Sequence, residues 1–439
     1  MSRLVVLLPW TAVLVVVVGS LFNGQQVIVD EPIGLTAWLL GAAPVTLLLA
    51  LLLPWAPGRR RLWRASGFVI VTFAALLLWA AIRAVGVTRC LNLRDGEVIG
   101  VCFPSWVAWV PLAQTAVTAA LAWLVVAYVP RARLDRWTVA LALGLVAMTS
   151  VALLRALADP RGFNRLSSGL GGAAVLSVAL IIAAAWLFGH HLRRPRWHLL
   201  VAAAVAVALL VLTFSRAGLA VALLAAAALA WAVRDRLGRA GRRVAVGVVA
   251  VAATAGVAAA VVFPDLAGRL LTLGDEGRAI NLHTALGAWL TDPGHAFLGL
   301  GTAGVWPWFA VDNDLVWAPE TGLLGVTGIE GELLVNPHST FLGIAVELGI
   351  VGLALWLAVV WFIVRAAARV RHTSAAGFGL VAAAACVVAF LFDTYLLRNP
   401  GVSFIWWCAV FAGLAHSVTG RRRATSQQPS GDAEPGQEQ

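Results

Sequence analysis

The stretch "LLVNPHSTFLGIAVELGIVGLALW" (Leu333–Trp356) decides the fold. From Ser339 onward, with the "LAVVWFIV" that follows it, the sequence is apolar over enough length to cross about 30 Å of hydrocarbon as a helix. Yet His338 stands at its mouth and Glu347 lies within it. Burying an unpaired polar or ionisable group in hydrocarbon is costly, so both side chains need a role or a partner.

Stretches of this kind recur along the 439-residue chain. Hydrophobic residues make up 61% of it and charged residues only 12%, against about 25% charged in an average soluble domain. The mean hydropathy is +0.89. The apolar runs predict an all-α polytopic membrane protein with about 12 transmembrane helices, at 4–22, 33–53, 66–86, 105–128, 137–155, 170–188, 198–214, 217–233, 244–263, 339–364, 376–397 and 402–419. The expected organisation is transmembrane helices 1–9 in residues 1–263, an outward-facing loop domain in 264–338, helices 10–12 in 339–420, and a disordered polar tail in 421–439. Helix 1 reads as an uncleaved span, because its apolar core is long and no small-residue cleavage site follows.

All 32 basic residues are arginine, which with the Ala, Val and Gly bias reads as codon usage. The net charge of +11 therefore gives no argument for nucleic-acid binding. Its distribution is informative instead. Arg3, the even-numbered connections ("PGRRRLWR", "RARLDR", "RRPR", "RDRLGRAGRR", "RAAARVR") and the "RRR" of the tail carry 22 of the 32 arginines. The positive-inside rule places that side, and both termini, in the cytoplasm. Cys90 and Cys102 then fall in one outward loop, where an oxidising face favours a disulfide. Cys386 and Cys408 lie in spans and read as small apolar residues.

The connection between helices 9 and 10 is long enough to be functional or structured in itself. It holds two arginines against nine carboxylates. Within it, "RAINLHTALGAWLTDP" (Arg278–Pro293) has the helical spacing of Ile280, Ala285, Leu286 and Trp289, and "GLGTAGVWPWF" reads as a loop with aromatic anchors at the membrane surface. Next to helix 10, Asn336 suits an N-cap, Pro337 a first helical position and His338 the first turn. There the helix dipole disfavours imidazolium, and a neutral ring can accept a proton. His338 is then either a general base or a hydrogen-bonded interfacial histidine. Glu347 falls on the opposite side of a regular helix and reads as structural, paired with an arginine or a backbone group elsewhere.

Arg216, in the outward turn "FSRAG" (Phe214–Gly218), can snorkel to lipid phosphates or hold a phosphorylated substrate bidentately. The same two readings apply to Arg278 and to Arg155, Arg161 and Arg165 around "DPRGFNRLSSG" (Asp159–Gly169).

Taken in order, "DPRGFNRLSSG", "FSRAG", "GRAINLHTALGAWLTDPGHAFLGLGTAG" and "NPHSTFLGIAVELGIVG" resemble the segments of the O-antigen ligase and polymerase superfamily, from Arg155 to about Gly352. The resemblance implies a GT-C-type, metal-independent inverting glycosyltransferase that needs no cofactor. Such enzymes transfer a glycan from a polyprenyl-pyrophosphate carrier to an acceptor hydroxyl on the outer face of the cytoplasmic membrane. Their partners are that lipid-linked donor, a glycan, lipid or protein acceptor, and membrane lipids. Carried over by position, His338 matches the base, and Arg216 and Arg278 match the pyrophosphate-binding arginines. Arg161 and Trp306 are further candidates for holding substrate. So is Ser339, which stands where many relatives have asparagine. Both ligase and polymerase activities fit, with ligase the nearer match. A transporter is the rival reading, since "RDRLGRAGRR" (Arg234–Arg243) resembles a loop of major-facilitator carriers. Trp231, however, occupies the place where those carriers have a glycine.

Overall fold

The computed structural model describes residues 7, 9–11, 13–14, 33–85, 89–91, 101–103, 106–159, 163, 165–233, 254, 257, 261–263, 282, 285–287, 289–290, 292–302, 337–370, 374–393 and 399–417. Apart from one short strand pair, its regular structure is helical. The helices are α1 (Ile33–Leu51), α2 (Arg59–Ala84), α3 (Trp106–Tyr128), α4 (Arg131–Leu157), α5 (Ala173–Arg193), α6 (Trp197–Val211), α7 (Arg216–Val233), the short α8 (Pro293–Leu298), α9 (Thr340–Ala367), α10 (Ala375–Ala385) and α11 (Pro400–Ser417). Six of the segments they form are long and apolar enough to cross a membrane. Most of the first and ninth expected spans, most of the loop before Asp292, residues 303–336 and the tail from 421 lie outside the described residues. Every other expected span carries a helix.

The bundle is built around α11. Every residue from Pro400 to Ala415 is buried, and α2, α3, α5, α9 and α10 pack against it. A helix that is apolar all round has no polar face to show, so it takes the centre. Its Trp406 and Trp407 join Phe73, Trp356 and Phe390 in an aromatic cluster, with ring centroids 4.7–6.3 Å apart. The Trp406 indole N–H is spent on the Ala383 carbonyl at 2.9 Å.

Two expected spans differ in form. Span eleven is α-helical only to Ala385 and tightens into a 3₁₀ turn over Cys386–Leu391. Span ten is one helix by hydrogen bonding but is broken at Gly349. One end of the bundle is tied by Asp135, which pairs with Arg193 at 2.5 Å and accepts the Ala376 N–H at 3.3 Å. Ser374 caps α10 beside it, accepting the Gly377 N–H. The opposite end carries the turns at 165–171 and 212–216, the 292–302 segment, and the residues around His338 and Asp393.

Candidate functional site at the break in α9

The "ELG" within the apolar stretch is where the helix breaks. Gly349 has φ +66° and ψ −168°, a conformation almost confined to glycine. In a straight helix residues 341 and 356 would lie about 22 Å apart along the axis. The rings of Phe341 and Trp356 are 6.3 Å apart. The half Thr340–Leu348 is therefore folded toward the half Ile350–Ala367. The expectation of one continuous span over 339–364 is corrected accordingly.

A break releases carbonyls that have no water to turn to, so protein must satisfy them. Val346 accepts from the Leu300 N–H and Glu347 from the Gly301 N–H, both at 2.8 Å. Leu348 accepts from the indole N–H of Trp79, on α2, at 2.9 Å. The "GLG" at 299–301 thus docks into the break, where the sequence suggested a loop at the membrane surface. Arg83 anchors it from the end of α2. Its guanidinium donates to the Gly299 carbonyl at 2.9 Å, and its own carbonyl accepts the Thr302 N–H at 3.2 Å.

The residues that lead into this segment fold locally for clear reasons. Asp292 caps α8, accepting the His295 N–H at 3.0 Å, and its second oxygen lies 2.7 Å from His295 Nδ1. The Trp289 indole donates to the Ala296 carbonyl at 3.1 Å. Ala285, from the expected helix in the large loop, is buried against Val346 of α9, with Trp289, Leu300 and Leu342 around them.

His338 lies just before α9 with φ +46°. Histidine is among the few non-glycine residues enriched in this left-handed region. The N-cap is Ser339, which accepts the Leu342 N–H at 3.3 Å, so the expected capping by Asn336 and the placing of His338 in the first turn are corrected. Pro337 has no amide hydrogen and sits outside the helix, and since serine and asparagine cap about equally well the tertiary partners around Ser339 decide between them. The Ser339 hydroxyl also donates to the Phe390 carbonyl at 3.4 Å, while Thr340 donates its N–H and hydroxyl to the Asp393 carbonyl at 3.2 and 3.0 Å. These bonds fix His338, half-buried, beside the 3₁₀ end of α10.

Helix α7 packs against that same 3₁₀ turn, which links Arg216 to the His338 end of the bundle. Arg216 opens α7 and is exposed. The Ser215 hydroxyl accepts the Gly218 N–H at 3.0 Å as its cap. Arg165 is placed differently from Arg216. Its guanidinium reaches the Thr213 and Phe214 carbonyls at 3.2 and 3.4 Å, in the turn between α6 and α7. Arg155 lies in the last turn of α4. Arg161, Arg278 and Trp306 lie outside the described residues. Cys90 and Cys102 are register partners in an antiparallel strand pair, Arg89–Leu91 with Val101–Phe103.

The sequence reading passed over Trp79 and Arg83. One signal for Arg83 was available, namely a charge at the far end of an otherwise apolar span. Nothing in the sequence told of a carbonyl awaiting the Trp79 indole.

The described residues thus define a helical bundle whose apolar helices suit a membrane, with a broken helix plugged by a distant segment. The chain matches no protein-family model and no curated protein.

Proposed function

We propose that the protein transfers a glycan from a polyprenyl-pyrophosphate carrier to an acceptor hydroxyl at the outer face of the cytoplasmic membrane, with both termini inside. One observation carries this reading. The His338–Ser339 turn and the 292–302 segment, far apart in sequence, are both held by the first half of the same broken helix. The ordered segments that resemble a glycan ligase therefore converge on one end of the bundle.

In this mechanism the His338 imidazole accepts the proton of the acceptor hydroxyl as its oxygen attacks the anomeric carbon, with inversion. The bond from that carbon to the pyrophosphate oxygen breaks, and the electron pair leaves on the carrier. Arg216 and Arg278 balance the charge that grows there, a role guanidinium forks suit at a lipid–water boundary. Ser339 holds the acceptor side by its position next to the base. Arg161 and Trp306 are the further substrate contacts of this proposal, and Glu347 is structural.

Mass spectrometry of carrier-linked oligosaccharides in a deletion strain, with and without the wild-type gene restored, tests the reading. Long chains stranded on the carrier indicate ligation, and single repeat units indicate polymerisation. If the carrier-linked pool does not change, the proposal fails and the transporter reading takes its place.

A further inference from the structure

A second feature lies at the other end of α2 from Arg83. A cavity of about 530 Å³ opens between α2, α3 and α11, a size within the range of ligand pockets, about 300–1,000 Å³. Its walls are almost wholly apolar. Phe73 and Leu77 line it from α2, Ala116 and Ala120 from α3, and Trp407 and Phe411 from α11. The short side chains of the α3 alanines leave open a gap that larger residues would fill. At its mouth stand Arg59, Arg60 and Trp63.

That mouth carries positive charge that no described residue answers. Arg59, Arg60 and Arg61 occupy the first turn of α2, where the helix already presents its positive end, and Gly58 gives no side-chain cap. None of the three makes an ion pair among the described residues. Arg61, on the same turn but outside the lining of the cavity, has Nε and one terminal nitrogen buried with no hydrogen-bond partner among the described residues. Buried donors of this kind are rare and call for an acceptor. The carboxylate of Asp135 is taken up by Arg193 and the Ala376 N–H.

We infer that this slot holds one anionic glycerophospholipid, an acyl chain between α2 and α3 and the headgroup phosphate at Arg59 and Arg60. Apolar walls with a cationic rim match an amphiphile with one negative head. A zwitterionic headgroup fits less well, because its ammonium would face the two rim guanidiniums with no carboxylate among the described residues to receive it. The site is separate from the break in α9 and stands independently of the transferase proposal.

Native mass spectrometry tests it on the full chain, purified from membranes containing phosphatidylethanolamine and phosphatidylglycerol and then stripped with mild detergent. Wild type should retain one phosphatidylglycerol per chain. Arg59→Gln/Arg60→Gln, removing two charge-assisted contacts at the rim, should lower retention about tenfold or more. Ala120→Phe, which fills the slot, should abolish it. If Ala120→Phe does not fold, the arginine pair still decides the matter. Equal retention of phosphatidylethanolamine, retention of a polyprenyl phosphate instead, or unchanged retention in the double variant would overturn the inference.

Discussion

The backbones of Gly299 and Gly349 touch. A Cβ on Gly299 would lie 2.5 Å from the Gly349 nitrogen, and one on Gly349 would lie 2.7 Å from the Gly299 nitrogen and 2.1 Å from the Phe297 carbonyl oxygen. Both residues also have positive φ, +74° and +66°. Any side chain there meets a strained backbone, costing about 1–3 kcal/mol, and in addition an overlap with main chain that cannot swing away. Gly349→Ala should therefore lower the melting temperature in detergent sharply or prevent recovery of folded protein. A variant that melts with wild type would show that the 299–301 segment does not dock in the break.

Trp79 offers a milder probe of the same joint. Trp79→Phe keeps most of the ring but removes the donor to the Leu348 carbonyl, leaving a buried acceptor unsatisfied. The expected loss is about 1–3 kcal/mol of stability. Thermal unfolding of the purified variant measures it. No change would mean that another donor reaches that carbonyl.

Arg165 and Arg216 should separate stability from chemistry. Arg165 holds two carbonyls in the turn between α6 and α7, whereas Arg216 is exposed at the start of α7. Arg165→Gln should destabilise the fold by about 1–3 kcal/mol, the worth of hydrogen bonds from a charged group. Arg216→Gln should melt with wild type and lose glycan transfer. The reverse pattern, with Arg216→Gln unfolding and still active, would remove Arg216 from the proposed site.

Cys90 and Cys102 sit opposite one another in their strand pair. Residues directly opposite in an antiparallel pair have Cα atoms about 4.5–5.5 Å apart, within reach of a disulfide. A maleimide–polymer reagent added to denatured protein should label two more cysteines after reduction than before, the extra pair vanishing in Cys90→Ser/Cys102→Ser. Full labelling without reductant would exclude the bridge.

Much of the bundle was legible in the sequence because hydrophobic length alone marks a span. The start of α11 follows from Pro400 and that of α5 from Gly172, whereas α2 begins at Arg59, ahead of the expected 66–86, because the helix runs on through its arginines. The break in α9 was not legible. "VELGIVG" reads as a continuous apolar helix, and only the distant Gly299–Gly301 backbone makes an opening at Gly349 affordable. The capping of α9 was misread for a related reason. Asn336 and Pro337 satisfy the local rules, but Ser339 also gains Phe390 and Thr340 gains Asp393, partners contributed by the 3₁₀ turn after α10 and the residues just past it. Local preference fixed the neighbourhood of His338, and tertiary contacts fixed its register.

His338 itself calls for a substitution chosen by its backbone. At φ +46° alanine would add strain of its own, so a loss of activity in His338→Ala would mix geometry with chemistry. Asparagine tolerates the left-handed region and remains polar, but it cannot take up a proton at neutral pH. His338→Asn should therefore keep the wild-type melting temperature while transfer in a reconstituted assay falls by about 10²–10⁴-fold, the usual worth of a general base. Ser339→Ala should behave in the opposite way. It removes the cap of α9 at a cost of about 1 kcal/mol, and below its melting transition it should raise the KM for the acceptor while kcat stays near wild type. If His338→Asn transfers glycan at the wild-type rate, the proton goes elsewhere and His338 serves only to turn the chain into α9.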